Sequence, residues 1–182
     1  SSVDDFAGKV APLIDPAKLA TLSERGANPR VQKVVYWLAT GRSNGANPSI
    51  VVSVALKSVE MKGQAAELTG AAILRNLQIA ESLGCLDAEG LAEMRKGKAA
   101  TVRKGPYRGD QLSVDHIIPR AVAPELDNVI ANLELMPGRM NSKKKAAIGD
   151  RQVQLAKKFR EAGLLSAEGF AAVQKAEVKP GQ

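Results

Sequence analysis

The chain has 182 residues and a formal net charge of +7, with 45% hydrophobic and 25% charged residues, which is typical of a globular protein with one core or two small ones. No apolar run approaches membrane-spanning length, so we expect no membrane partner. The only cysteine, Cys85, excludes an internal disulfide. Together with the only histidine, His116, it provides too few ligands for a structural zinc site, so we expect none.

Patterns that begin helices occur three times in the first 60 residues. Asp15-Pro16, Asn28-Pro29 and Asn47-Pro48 each place a capping side chain before a proline at the first helical position. Apolar residues at helical spacing follow the second pair and predict a helix that ends at Gly41. Residues 49–61 contain a β-branched run that would also suit a strand, but their cap and length favour a helix.

A longer apolar-striped helix is predicted over residues 65–83. Residues 83–92 then resemble residues 162–171, since in each a glycine closes one helix and a short apolar link leads to a new helix, capped by Asp87 or Ser166. We interpret the two segments as similar helical hairpins that flank and support the region between them, and not as a repeated domain.

The residues suited to catalysis lie in that central region. Asp115–Pro119 follows a strand predicted to end near residue 116, residues 132–137 alternate like a second half-buried strand, and residues 138–147 predict a helix with a basic face. A histidine accepts a proton near neutral pH, and a carboxylate binds hard divalent cations. Side by side, the two can activate water against a phosphodiester. A single Asp-His pair is also common as an ordinary surface or core feature.

Three separated pieces of this region together resemble the ββα-metal motif of the HNH nuclease family, which runs Asp-His-x-x-Pro, Asn-Leu, Asn-x-x-Lys. In this chain they are Asp115-His116-Ile117-Ile118-Pro119, Asn132-Leu133 and Asn141-Ser142-Lys143-Lys144. The resemblance implies one Mg²⁺ or Mn²⁺ ion held by Asp115 and Asn141, His116 as the general base, and Asn132 as the residue that orients the histidine ring. The alternatives are an ordinary strand-edge residue for Asn132 and a helix-capping amide for Asn141.

The predicted fold is mainly α: a helical domain with an embedded ββα-metal (HNH) motif. Residues 1–98 are expected to form a helical N-terminal domain, residues 99–150 the nuclease-like motif, and residues 151–182 a C-terminal helical hairpin and tail. Because the chain lacks the zinc-binding cysteine pairs of many HNH proteins, we expect apolar packing to hold the motif, with contributions from Leu112, Val114, Ile117, Ile118, Leu133 and Leu135.

The positive charge is concentrated around the same region. Residues 95–151 contain 12 Lys and Arg against 6 Asp and Glu, whereas residues 1–94 contain 9 against 10. Clustered cations favour salt-sensitive nucleic-acid binding, although a run of lysines is often only a solvated surface. We predict phosphate contacts from Arg103, Lys104, Arg108, Arg120, Arg139, Lys143 and Lys144.

Two functions are consistent with these observations. The favoured one is a metal-dependent endonuclease that acts on double-stranded DNA with little sequence preference, because phosphate contacts carry little sequence information and only 3% of the residues are aromatic. RNA is an open alternative substrate. The other function is a non-catalytic basic helical nucleic-acid-binding module that retains the ββα scaffold.

Compartment and assembly are less constrained. The protein is expected to be exported or cytoplasmic, with export favoured, because a nonspecific nuclease endangers its own cell unless an inhibitor protein binds it. The oligomeric state is left open.

Overall fold

The computed structural model describes residues 1–22 and 26–178, which are mainly helical and include a small two-stranded antiparallel sheet. The helices are α1 (Ser2–Ile14), α2 (Pro16–Leu19), α3 (Ala27–Ser43), α4 (Pro48–Ser58), α5 (Gly63–Ser82), α6 (Ala88–Arg95), α7 (Gly138–Lys143), α8 (Asp150–Glu161) and α9 (Ala167–Ala176). The strands β1 (Leu112–His116) and β2 (Leu133–Pro137) lie between α6 and α7. Within the described residues, no helix is both long and apolar enough to cross a membrane. Residues 179–182 of the predicted tail lie outside the described part.

Two of the three predicted helix starts are confirmed by their caps. The Asp15 carboxylate accepts a hydrogen bond from the Ala17 amide at 3.0 Å, and the Asn47 side chain accepts one from the Ser49 amide at 2.9 Å. The second cap begins α4, so the helix predicted over residues 49–61 is confirmed against the strand alternative, although it ends at Ser58.

The predicted bounds of α3 were wrong at both ends. The helix begins at Ala27, so Asn28 lies inside its first turn, where its Oδ1 accepts a hydrogen bond from Gln32 Nε2. The helix also continues past Gly41 to Ser43. Gly41 allows the Phe6 ring to pack closely against α3, because a Cβ atom at this position would lie 3.0 Å from that ring.

The basic helix predicted over residues 138–147 was too long. Helix α7 ends at Lys143, and Lys144 has extended backbone angles, with φ −70° and ψ 130°. From this extended position the Lys144 ammonium group reaches the carboxylate of Asp115. The helix thus ends four residues earlier than predicted, and the first residue after it forms the ion pair with Asp115. Sequence periodicity does not indicate this end.

Both predicted helical hairpins are present. Gly84 and Gly163 have left-handed backbone conformations, with φ 72° and 76°, which glycine adopts without steric cost. The Asp87 carboxylate then caps α6 through the Gly90 amide at 2.7 Å, and the Ser166 hydroxyl caps α9 through the Gly169 amide at 3.0 Å. The similar residue patterns thus form similar turns.

The hairpin β1–β2 lies between two hydrophobic cores. Its residues Leu112, Leu133 and Leu135 belong to a large core built mainly from α1, α3, α4 and α5. Ile118, just after β1, belongs to a second core with residues of α8 and α9. The predicted packing residues are buried, except that Val114 is only partly buried. The large core crosses the predicted boundary at 98/99, and the second core crosses the one at 150/151.

Two buried side-chain amides join the hairpin to the helices. Gln32 on α3 donates to the Leu112 carbonyl at 3.1 Å and accepts from the Ala100 amide at 2.7 Å. Asn76 on α5 donates to the Leu133 carbonyl and accepts from the Leu135 amide, both at 2.9 Å. We call Gln32 and Asn76 the edge amides. They satisfy backbone groups of a two-stranded sheet, which alone would be marginally stable.

We predict that Asn76→Ala lowers the free energy of unfolding by about 2–4 kcal/mol, because it leaves one buried carbonyl and one buried amide of β2 without a partner. Urea denaturation followed by circular dichroism measures this. The control Gln154→Ala, on the exposed face of α8, should change stability by less than about 0.5 kcal/mol. Equal effects of the two substitutions would contradict the structural role of Asn76.

Candidate active site

The candidate site is centred on the last two residues of β1, which pair with β2 in the register Asp115↔Glu134 and His116↔Leu133. Successive side chains of a strand point to opposite faces. Asp115 therefore lies on the face packed by α7, and His116 lies on the face covered by the loop between the strands. The site is built from two halves that meet at the end of one strand.

Asp115 is buried, with 8% of its surface exposed. Its carboxylate accepts a hydrogen bond from the Lys144 ammonium group. The cross-strand neighbour Glu134 is bound by Arg151 at 2.6 Å and by Arg75 at 3.1 Å. Like charges directly opposite each other on a sheet repel, so these three cations offset the cost of pairing Asp115 with Glu134.

Helix α7 brings Asn141 against the same strand. Its Nδ2 donates to the Ser113 hydroxyl at 2.9 Å and to the Val114 carbonyl at 3.3 Å, one peptide before Asp115. These bonds direct the amide nitrogen to β1, and Oδ1 makes no hydrogen bond within the described residues. The structure thus brings Asn141 against Ser113 and Val114, the two residues that precede Asp115 in β1, and its amide oxygen could serve as a ligand.

The donors of this half suit a hard cation. A carboxylate oxygen and an amide oxygen, with water in the other positions, are the kind of ligand set that Mg²⁺ and Mn²⁺ accept. In the part of the chain that the structure describes, no group of three or more His, Cys, Asp or Glu side chains is arranged to hold a metal ion. Any ion here would therefore depend on the mixed pair of Asp115 and Asn141.

His116 is held by Asp127, a residue of the loop between β1 and β2 that the sequence patterns did not identify. Its Nε2 lies 3.0 Å from the backbone oxygen of Asp127 and 3.0 Å from the Asp127 carboxylate. Arg120 Nε donates to that carboxylate at 2.7 Å. The Nδ1 atom of His116 has no hydrogen-bond partner among the residues described. No spacing rule links a histidine to a carboxylate 11 residues later in an irregular loop, so sequence could not have identified Asp127.

The loop that carries Asp127 is also attached to the helical core. Arg30 on α3 is buried and donates through Nη2 to the Asn128 side chain at 2.8 Å. Burial lowers the pKa of the Arg30 guanidinium, and the nearby negative charge of Asp127 opposes that shift. Contacts 98 residues apart in sequence therefore position the residue that holds the histidine ring.

Asn132 does not contact the histidine ring, which is the role that the sequence resemblance implied. It is fully buried, and its side chain accepts from the Ile118 amide at 2.9 Å and donates to the Ile118 carbonyl at 3.0 Å. These two bonds join the ends of the loop between β1 and β2. Asn132 thus supports the loop that carries Asp127, and its side chain makes no hydrogen bond to His116.

The predicted phosphate-binding cations fall into two groups. Four of them are engaged by carboxylates of the protein itself: Arg103, Arg120, Arg139 and Lys144. The other three form no ion pair within the described residues and are exposed: Lys104, Arg108 and Lys143. The second group has the more accessible charge.

Arg103 shows the difference most clearly. It lies within 3.2 Å of carboxylate oxygens of Asp87, Glu89 and Glu93. Burial alone would raise the pKa of Glu93, but hydrogen bonds from Thr101 and Arg103 lower it overall. Arg103 therefore joins α6 to the segment that leads into β1.

We predict that neutral His116 carries its proton on Nε2, because both acceptor oxygens of Asp127 face that atom. Long-range ¹⁵N–¹H correlation spectra distinguish the two tautomers. The urea-unfolded protein provides the reference mixture of tautomers. A folded protein with the proton on Nδ1 would contradict the arrangement.

We predict that Arg103→Ala lowers stability by about 1 kcal/mol, because it removes ion pairs with three carboxylates. In the DNA binding expected from the sequence, it should leave the salt dependence unchanged, because its charge is already paired. Lys104→Ala should instead reduce the slope of log K against log salt by about 1. Fluorescence anisotropy of a labelled duplex over a salt series measures both slopes. A reduced slope in Arg103→Ala would show that Arg103 contacts phosphate.

No family model matches the chain, and no curated protein or solved structure matches it significantly. Support for any function therefore comes from the residues of the site and their contacts.

Proposed function

We propose that the protein is a metal-dependent endonuclease of the HNH type, which hydrolyses DNA phosphodiester bonds with little sequence specificity. The main supporting observation is the placement of Asn141 against β1 beside Asp115, next to a histidine whose Nε2 is held by Asp127. In this proposal Asp115 and Asn141 belong to the ββα-metal motif that the sequence resembles.

In the proposed reaction His116 is the general base. Its Nε2–H group is held by Asp127, so Nδ1 can take a proton from a water molecule as that water attacks phosphorus. The bond from phosphorus to the 3′ oxygen breaks, which leaves a 5′-phosphate and a 3′-hydroxyl once the leaving oxygen gains a proton. A Mg²⁺ or Mn²⁺ ion bound by Asp115 and Asn141 would supply charge stabilisation for the phosphate and the leaving oxygen.

Duplex binding in this proposal depends on exposed cations of the basic region, residues 95–151. Lys104, Arg108 and Lys143 have unpaired charges in the described structure, and binding through them would weaken with salt. Arg120, Arg139 and Lys144 could reach phosphate only by leaving or sharing their carboxylate partners. We therefore propose that Lys104, Arg108 and Lys143 make the main phosphate contacts.

A second candidate function is a non-catalytic nucleic-acid-binding module. The contact between the Lys144 ammonium group and the Asp115 carboxylate favours it, because that ion pair already neutralises the proposed metal ligand. Both functions predict salt-sensitive DNA binding, so affinity does not distinguish them. A cleavage assay distinguishes them, because only the nuclease cuts DNA.

We predict that the wild-type protein nicks supercoiled plasmid with Mg²⁺ or Mn²⁺, and that a chelator abolishes nicking. His116→Ala should reduce the rate by about 10²–10⁴-fold, the usual contribution of a general base. Gln154→Ala, on the exposed face of α8 and outside the proposed catalytic residues, is the matched control. Undiminished cleavage by His116→Ala would remove this base from the mechanism. No cleavage with either metal by folded wild-type protein would favour the binding module.

We predict that Asn141→Ala raises the Mg²⁺ concentration needed for half-maximal nicking, because it removes one of two protein ligands. Asn141→Asp, which retains a ligand oxygen, should recover most of the activity. Duplex affinity without metal should change little in either variant, as anisotropy can show. Equal losses of duplex affinity and metal response would indicate a general structural defect instead of a lost ligand.

A further inference from the structure

A polar cavity of about 420 Å³ opens beside Asn141 and extends along the start of β1. Its polar lining includes the side chains of Asn28, Gln111, Ser113, Arg139, Asn141 and Ser142. Asp115 and His116 do not line it. The cavity is thus a neighbour of the proposed metal ligands and not the catalytic corner itself.

We propose that this cavity binds a nucleobase close to the cleaved bond and that Gln111 contacts the edge of that base. Adenine is the base that fits best. The inference rests on the proposed nuclease function and adds a weak local base preference to it.

The position of the cavity suggests which nucleotides it can reach. A β-strand advances about 3.3 Å per residue, so Gln111 lies about 13 Å along the strand direction from Asp115. Nucleotides of one DNA strand are spaced about 3.4 Å apart along the duplex axis. A base in the cavity would therefore lie within about four nucleotides of the scissile phosphate.

The charge of the cavity favours a base over a phosphate. Its cation, Arg139, is paired with Asp110, which accepts from the Arg139 backbone amide at 2.8 Å and from its Nε. The pair is neutral overall and provides little attraction for a phosphate. The remaining polar groups that face the cavity are amides and hydroxyls, which suit the mixed donors and acceptors of a base edge.

Gln111 is the side chain best placed to recognise that edge. It is exposed, and its amide makes no hydrogen bond within the described residues. A glutamine amide can donate to N7 of adenine and accept from its N6 amino group at the same time. Since other bases do not present that pattern, the contact would select adenine.

The backbone of Gln111 is held firmly relative to the metal ligands. Its carbonyl accepts from the Gly138 amide at 2.9 Å, at the residue where α7 begins, and it forms an isolated bridge with Thr101. Asn141 lies on the same helix, α7. The backbone of Gln111 is therefore fixed relative to α7, so its side chain starts from a defined position near Asn141.

The test is digestion of a plasmid library that contains a randomised duplex segment, followed by sequencing of the cut ends. For the wild-type protein we expect about fivefold enrichment of adenine at one position within four nucleotides of the cut, the low end for one amide–base contact. Gln111→Ala should lose this enrichment. Gln111→Glu, whose carboxylate only accepts hydrogen bonds, should disfavour adenine and favour cytosine. Gln154→Ala, an exposed glutamine on α8, is the matched control and should keep the wild-type profile.

Cleavage with a flat wild-type profile, or with a profile unchanged in Gln111→Ala and Gln111→Glu, would overturn the inference and leave the nuclease function intact. Absence of all cleavage by folded wild-type protein would contradict the proposed function, and the inference would fall with it. The two failures are therefore distinguishable by whether DNA is cut.

Discussion

The position of the candidate site depends on hydrogen bonds from buried side-chain amides to the backbone of a two-stranded sheet. Such a sheet leaves many backbone groups without strand partners, and buried backbone groups without partners are costly. Gln32 and Asn76, the edge amides, satisfy some of these groups from two different helices. Asn132 does the same for the peptide groups of Ile118. The end of β1 is thereby held between two cores by specific bonds as well as by apolar packing.

This arrangement supports the two halves of the site separately. On one face of the hairpin, Asn141 of α7 binds β1, and Lys144, just after α7, binds Asp115. On the other face, Asp127 in the interstrand loop binds His116. The loop in turn depends on Arg30 and on the bonds of Asn132. The proposed proton acceptor and the proposed metal ligand are thus neighbours in sequence with independent supports, which allows one half to be altered without dismantling the other.

Charged residues of this protein stabilise the structure and, in the proposed function, also contact DNA. The excess of Lys and Arg in residues 95–151 was interpreted from sequence as a phosphate-binding surface, yet several of these cations pair with nearby acids. Paired cations still contribute to the local positive field, but they can contact phosphate only at the cost of an existing ion pair. The cations without carboxylate partners, and the neutral polar cavity near Asn141, therefore divide the proposed DNA contacts between phosphate and base.

The sequence by itself determined the features that depend on local chemistry. Helix caps at Asp15, Asn47, Asp87 and Ser166 were identifiable because a short polar side chain satisfies amides only a few residues away. The two strands also agree with those predicted from the sequence, one that ends near residue 116 and one over residues 132–137. Tertiary structure alone decided the partner of His116, the role of Asn132, the end of α7 at Lys143 and the pairing of Arg103. Each of these depends on contacts between groups distant in sequence or on an irregular loop, where no periodicity relates the residues that meet.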